Sequence, residues 1–305
     1  MAIQMSHKMI EYAYENAYYV PNIKNKILKK IIKIFLIKII NLYRFIIFYI
    51  KIKFVLLFIL LNKKNKNLRL PKIDLVNKTD VKVKNLSSYS EFFEKNNWCF
   101  IKDFLNEDFY NGILHNWPRN MYFKFKNNPT KFYLWGFEYL KEHGKKYLDN
   151  DQKKYLDNDR ELLNFFPYLK KYYDYILSQK MSENIDELFM HKKYKYECYS
   201  INCTSAKKNA FLIPHIDSVA EEKDYNLTIN CIHFIDGNDE MIEYSGGTGI
   251  YLDNEFNKKI FVPTTLKNSL LVYNSKKNYY HGFNKIKKNG YRKAVAFQFF
   301  RQKEL

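Results

Sequence analysis

His215 and Asp217 stand two residues apart in the stretch Pro214-His215-Ile216-Asp217-Ser218. On a strand, residues i and i+2 point to the same side, so an imidazole and a carboxylate can meet at one point in space. An H-x-D pair alone is common and usually structural. A second histidine from another strand changes its meaning, and His281, 64 residues beyond Asp217, is the candidate. Two imidazoles and one carboxylate on one face of an octahedron leave three positions open. That donor set suits Fe(II) and leaves room for a bidentate ligand and O₂ together.

Arg292 follows His281 by 11 residues, at the start of the apolar run Tyr291–Phe300. A guanidinium is a planar fork matched to a carboxylate, and it stays charged when buried. On an extended strand Arg292 shares a side with Ala294, Ala296 and Gln298. Lys293 falls on the other side, so Arg292 is the better anchor for a diacid whose far end chelates a metal.

These residues need a scaffold of strands. From about Tyr194 the chain breaks into short alternating apolar runs: KYECYSI, AFLIPHI, YNLTINCIHFI, GTGIYLD, KIFVPT, SLLVYNS and YRKAVAFQFF. Turn residues separate them at Ser205–Asn209, Asp236–Gly237, Gly246–Gly247, Asn254, Lys276–Asn278 and Asn289–Gly290. Several short strands at regular spacing predict an all-β barrel or sandwich. Upstream, Trp98, Phe100 and Phe104 alternate as in a strand. Leu105 to Trp117 reads as a helix with Asn106 as its N-cap.

H-x-D, a histidine some sixty residues on, and an arginine about ten further form a pattern. With Tyr225–Asp236, Gly246–Leu252, Ser269–Val272 and His281-Gly282-Phe283, the chain resembles the prolyl-4-hydroxylase-like branch of the 2-oxoglutarate/Fe(II) oxygenase superfamily. The resemblance covers roughly the last hundred residues, and more loosely the segment from about Phe92. It implies a mainly β fold with flanking helices, a double-stranded β-helix (jelly-roll) core. It also implies Fe(II) on His215, Asp217 and His281, and 2-oxoglutarate anchored by Arg292. The implied reaction hydroxylates a C–H bond while 2-oxoglutarate and O₂ become succinate and CO₂.

There are departures. Members with Arg at the anchor often carry Ser two residues later, where this chain has Ala294. Another group must complete the co-substrate pocket, and Tyr199, with Asn230 behind it, is the expectation. Nucleic-acid-repair members carry a second Arg and an Asn after the anchor. Here Ala294, Ala296 and Gln298 follow, which disfavours a nucleobase substrate.

The net charge of +19 first suggests nucleic acid or membrane. Its distribution argues otherwise: residues 1–86 hold 18 basic and 4 acidic side chains, and residues 87–305 hold the other 33 and 28. The chain therefore reads as a basic, apolar N-terminal segment and linker (1–86) before an oxygenase domain (87–305). Lysines and Arg44 interrupt residues 23–61, so no apolar run approaches the ~18–20 residues of a spanning helix. As a helix this segment carries a basic stripe beside an apolar face. That arrangement fits peripheral contact with an anionic membrane, or equally packing on the domain.

The remaining features carry less. Cys99, Cys198, Cys203 and Cys231 form no C-x-x-C and no zinc spacing, so a reducing, cytoplasmic setting is expected. The tandem KKYLDND at 145–151 and 153–159 lacks the glycine and terminal glutamate of a calcium loop. It reads as a solvated insertion. His233 shares a face with Ile229, Cys231 and Ile235 and reads as a core histidine. His115 and His191 have no partner motif. Gly246-Gly247-Thr248-Gly249 reads as a turn entering a strand, not a phosphate loop.

Two rival functions stand beside the oxygenase. One is a membrane- or polymer-binding protein with an inactive jelly roll. The other is a cupin-type metalloenzyme, which would not need Arg292. The substrate is open among a small molecule, lipid, glycan and peptide.

Overall fold

A computed structural model of the chain describes residues 76, 78–118, 163–164, 166–190, 195–216, 228–274 and 279–301, with the backbone of 124–125, 131–132 and 134–140. The chain divides into two compact units, and the second, Arg69–Lys126 with Thr130–Leu305, contains all of these. Asp217, His191, the segment 23–61 and the duplicated 145–159 lie outside the described residues.

The alternating runs form strands. In chain order these are β1 (Trp98–Ile101), β2 (Lys124–Phe125), β3 (Lys131–Phe132), β4 (Leu134–Leu140), β5 (Tyr196–Lys207), β6 (Phe211–His215) and β7 (Thr228–Gly237). Then follow β8 (Gly249–Tyr251), β9 (Lys259–Phe261), β10 (Ser269–Asn274), β11 (Tyr280–Phe283) and β12 (Tyr291–Arg301). They build two antiparallel sheets. The larger has the order β1-β10-β7-β12-β5-β4-β2 and the smaller β3-β6-β11-β8-β9. The mainly β expectation is met, with α-helices at Ser90–Asn96, Glu107–Asn116, Pro167–Ile176 and Gln179–Asp186.

Strand parity divides the large sheet into two faces. On one face Ile232, Phe234, Leu271, Tyr273 and Ala294 form a single apolar cluster with Ile250 of the small sheet. Burying a side chain such as Phe234 contributes about 1.5–3 kcal/mol. The other face carries His233, which meets Tyr172 of the helix Pro167–Ile176 at 2.8 Å. That pair of helices between 167 and 186 has no counterpart in the sequence reading. Its tyrosine-rich apolar stripe (Tyr168, Leu169, Tyr172, Tyr173, Ile176) is what it buries.

Three local expectations are refined. A helix, Ser90–Asn96, precedes β1 and ends where Asn97 adopts a left-handed conformation (φ 61°). Asn106 does sit at the N-cap position of Glu107–Asn116, but its side chain does not cap the helix. Its Oδ1 instead accepts from Lys82 N at 2.9 Å, tying the preceding segment to the sheet. β5 runs on to Lys207, past the turn predicted from Ser205, because Arg292 and Lys293 pair with Ala206 and Ser205 and hold them in the ladder.

The edge strand β1 pairs with β10, some 170 residues later in the chain. Asn268 locks this junction: its Oδ1 accepts from Leu105 N at 2.9 Å and its Nδ2 donates to Leu105 O at 2.8 Å. Among the described residues, no helix is long and apolar enough to cross a membrane.

Candidate metal and carboxylate site

β6 and β11 are neighbours in the small sheet, and His215 is the direct cross-strand partner of His281. Opposed residues of an antiparallel pair project to the same side. The two rings accordingly lie together, with centroids 4.3 Å apart. A close approach of backbones makes this possible. A Cβ on Gly282 would sit 2.5 Å from Leu212 O and 2.8 Å from Pro214 N, so only glycine fits beside His281. The ladder shifts register between His281 and Phe283, opposite Pro214, which lacks the N–H a regular ladder would use.

The tautomer of His215 follows from its partner. Nδ1 lies 2.9 Å from Ile213 O, and a carbonyl can only accept. Nδ1 therefore carries a hydrogen, and Nε2, the other ring nitrogen, is a buried atom. An imidazole whose second nitrogen is fixed in this way is the form that ligates metals. His281 is 6% exposed and also touches the ring of Tyr273, centroid to centroid 5.1 Å. This pair fits a metal that takes imidazole nitrogen. Among the described residues no third His, Cys, Asp or Glu joins it. β6 ends at His215, and Asp217 lies outside the described residues.

Arg292 is buried at 5% exposure, although it begins the last strand. Its guanidinium carbon lies 4.4 Å from the ring centroid of Phe283, two residues beyond His281 on β11. Nη1 donates to Gly246 O at 2.8 Å and to Thr248 Oγ1 at 2.5 Å. Gly246 has φ +86°, and a Cβ there would come within 2.9 Å of Arg292 Cδ. The Gly-Gly-Thr-Gly run is thus a turn into β8, as expected, and it also cradles the arginine. Lys293 points away, as parity predicted, and pairs with Asp236 at 2.6 Å.

Thr248 is the site residue the sequence reading missed. A hydroxyl has one donor and two acceptor positions. Having accepted from Arg292, Thr248 can donate to an anion at the same guanidinium. The only sequence signal was a hydroxyl residue next to the turn glycines.

Tyr199 and Asn230 are brought together, but not at Arg292. Tyr199 Oη donates to Gln298 Oε1, and Gln298 Nε2 donates to Asn230 Oδ1 at 2.7 Å. Gln298 lies six residues along β12 from Arg292, roughly 20 Å at strand rise. His233 is fully buried on the opposite face, and His115 is exposed on its helix.

No family model matches the sequence, and no curated protein matches it. Among solved structures, the chain is similar to a prolyl hydroxylase from Trichoplax adhaerens, solved with a peptide of the hypoxia inducible factor oxygen degradation domain. The identity is 16% and the TM-score 0.47, over 70% of this chain and 89% of that one. It is similar to a prolyl-4-hydroxylase from Pseudomonas putida at 12% identity and TM-score 0.42, over 72% and 100% of the two chains. A 2OG-Fe(II) oxygenase family oxidoreductase from Burkholderia pseudomallei gives 11% and 0.46, over 73% and 95%. Likenesses this distant assign no function, and the side chains must carry the assignment.

Proposed function

We propose that this chain is an Fe(II)- and 2-oxoglutarate-dependent dioxygenase whose two sheets are the halves of a double-stranded β-helix. One observation carries the reading: His215 and His281 are cross-strand partners, and buried Arg292 packs on Phe283, two residues past His281. In this reading the metal site and the carboxylate anchor are joined through one strand, by His281 and Phe283 of β11.

In this reading His215 and His281, with Asp217 as the carboxylate, hold Fe(II). Arg292 and Thr248 hold the distal carboxylate of 2-oxoglutarate. Ala294 and Ala296 on the inner face of β12 leave room for its chain. When bound, the iron and 2-oxoglutarate together activate O₂, releasing succinate and CO₂ as a C–H bond becomes C–OH. The protein's own part is positioning. It presents two imidazoles side by side and orients a charged fork, and its apolar walls (Phe234, Phe283) strengthen the pull of that fork on a carboxylate.

Succinate formation from 2-oxoglutarate with added Fe(II) tests the reading in wild type, His215→Ala and Arg292→Ala. Turnover in wild type, abolished by the first variant and restored in the second only at high 2-oxoglutarate, is the expected result. Full turnover in His215→Ala removes the metal assignment. Metal-dependent oxidation indifferent to Arg292→Ala would point to a cupin-type enzyme. No turnover and no 2-oxoglutarate binding in wild type would leave the non-catalytic binding protein.

A further inference from the structure

β6 carries one residue more than the stretch of β11 it faces. His281 is opposite His215 and Phe283 is opposite Leu212, so two steps along β11 are matched by three along β6. Ile213 and Pro214 together oppose Gly282, which makes a β-bulge. Bulges re-aim side chains, and the effect shows in burial. Leu212 packs with Phe283 and Ile286, while Ile213 is 41% exposed. His215 meets the ring of His281. In a regular strand, residues three apart face opposite sides. The bulge lets Leu212 close the core against Phe283 and still turns His215 to that same side, beside His281.

Three residues maintain this bulge. Ile213 O accepts from His215 Nδ1 at 2.9 Å, so the bulge backbone grips the imidazole two residues on. Pro214 has a fixed φ and no N–H with which the ladder could draw the bulge flat, and it keeps Ile213 extended. Gly282 gives the room. A Cβ there would lie 2.5 Å from Leu212 O, 2.8 Å from Pro214 N and 2.9 Å from Pro214 Cα. These are backbone atoms of the bulged strand, which cannot swing aside as a side chain can. Gly282 has no positive φ, so this glycine is required for space and not for backbone conformation.

We infer that the Ile213–Pro214 bulge, seated on Gly282, is the positioning element of His215: its carbonyl holds Nδ1 and so presents Nε2 to a metal. This deepens the dioxygenase reading and rests on it. An imidazole bonded through Nδ1 cannot turn its ring or exchange its tautomer without giving up that bond, so a metal meets a preset ligand. Pro214 and Gly282 are positioning residues, acting on a metal only through His215. Without the extra residue on β6, either Leu212 or His215 would face away from the core.

Two measurements on the full chain test this. One is the tautomer of His215 in the metal-free protein, from long-range proton–nitrogen NMR at about pH 8, above the ordinary histidine pKa of ~6.5. The other is the affinity for Co(II), from calorimetry. Wild type should show a single His215 tautomer with the hydrogen on Nδ1. Gly282→Ala should show mixed tautomers and a Co(II) affinity lower by roughly 10- to 100-fold, the scale of losing the outer partner of a metal ligand. Should Gly282→Ala fail to fold by circular dichroism, Pro214→Ala decides, with both readings moving the same way by smaller amounts. A merely structural role would lower the thermal midpoint and move neither reading. Mixed His215 tautomers in wild type, or a folded variant with the wild-type tautomer and Co(II) affinity, overturns the inference. A tautomer fixed in wild type and mixed in the variants, with no Co(II) binding by any of them, would remove the dioxygenase reading and leave the bulge as the element that orients His215.

Discussion

Thr248 Oγ1 accepts a 2.5 Å hydrogen bond from the Nη1 of buried Arg292, linking the turn before β8 to the start of β12. In the proposed dioxygenase the pair would act as the carboxylate receptor, a charged fork and a hydroxyl already joined to it. Replacing Thr248 by the near-isosteric Val removes the hydroxyl and little volume. The KM for 2-oxoglutarate should rise roughly tenfold, as for losing one hydrogen bond to a charged group, with a smaller change in kcat. A 2-oxoglutarate titration of succinate formation reads both.

Gly246 supports the same arginine by having no side chain. In Gly246→Ala the left-handed backbone (φ +86°) would cost about 1–2 kcal/mol, and the new methyl would meet Arg292 Cδ at 2.9 Å. Both a lower thermal midpoint and weaker 2-oxoglutarate binding are expected. Weakened binding with no loss of stability would show that this backbone position is not strained by a Cβ.

Lys293 is the control for Arg292. Its ammonium pairs with Asp236 on the opposite face of the strand, and both side chains are largely buried. Lys293→Met should keep 2-oxoglutarate turnover but cost roughly 1–3 kcal/mol of stability in urea unfolding, because Asp236 is left largely buried without its counter-ion. Arg292→Lys, by contrast, substitutes a point charge for the fork and should raise the 2-oxoglutarate KM.

His233 makes stability depend on pH. Burial pushes its pKa from 6.5 down to about 3. Nε2 faces Asn268 Oδ1, an acceptor, so that nitrogen carries the hydrogen and Nδ1 accepts from Tyr172 Oη. The fold therefore holds the imidazole neutral. Because the folded pKa is depressed, the unfolded chain binds the proton first. The His233 contribution is complete above about pH 6.5 and is lost as pH falls toward 3, at up to ~1.4 kcal/mol per unit. Urea midpoints measured between pH 7.5 and 5 should fall less steeply in His233→Gln than in wild type.

Period and parity made much of this legible beforehand. The alternating runs marked the strands, the apolar company of His233 marked it as core, and the side of β12 separated Arg292 from Lys293. Non-local facts were not legible. That His215 sits opposite His281 depends on which strands become neighbours. The misplacement of Tyr199 has the same origin: the register shift beyond Gln298 joins it to Asn230, a full strand's length from the guanidinium. Thr248 escaped notice because a turn sequence says nothing about which distant side chain it will cradle. The helices between 167 and 186 were hidden by tyrosines, which suit strands and helices alike.

The pairing of β1 with β10, sealed by Asn268 on Leu105, orders events in time. A chain emerging N-terminus first offers Trp98–Ile101 long before Ser269–Asn274 exists, so the large sheet cannot gain its outer strand until that later segment has been made. Closing a loop of that length comes late and slowly, as contact order requires. Until then a short aromatic strand waits unpaired on the nascent chain, open to chaperones or to the same strand of a neighbouring nascent chain.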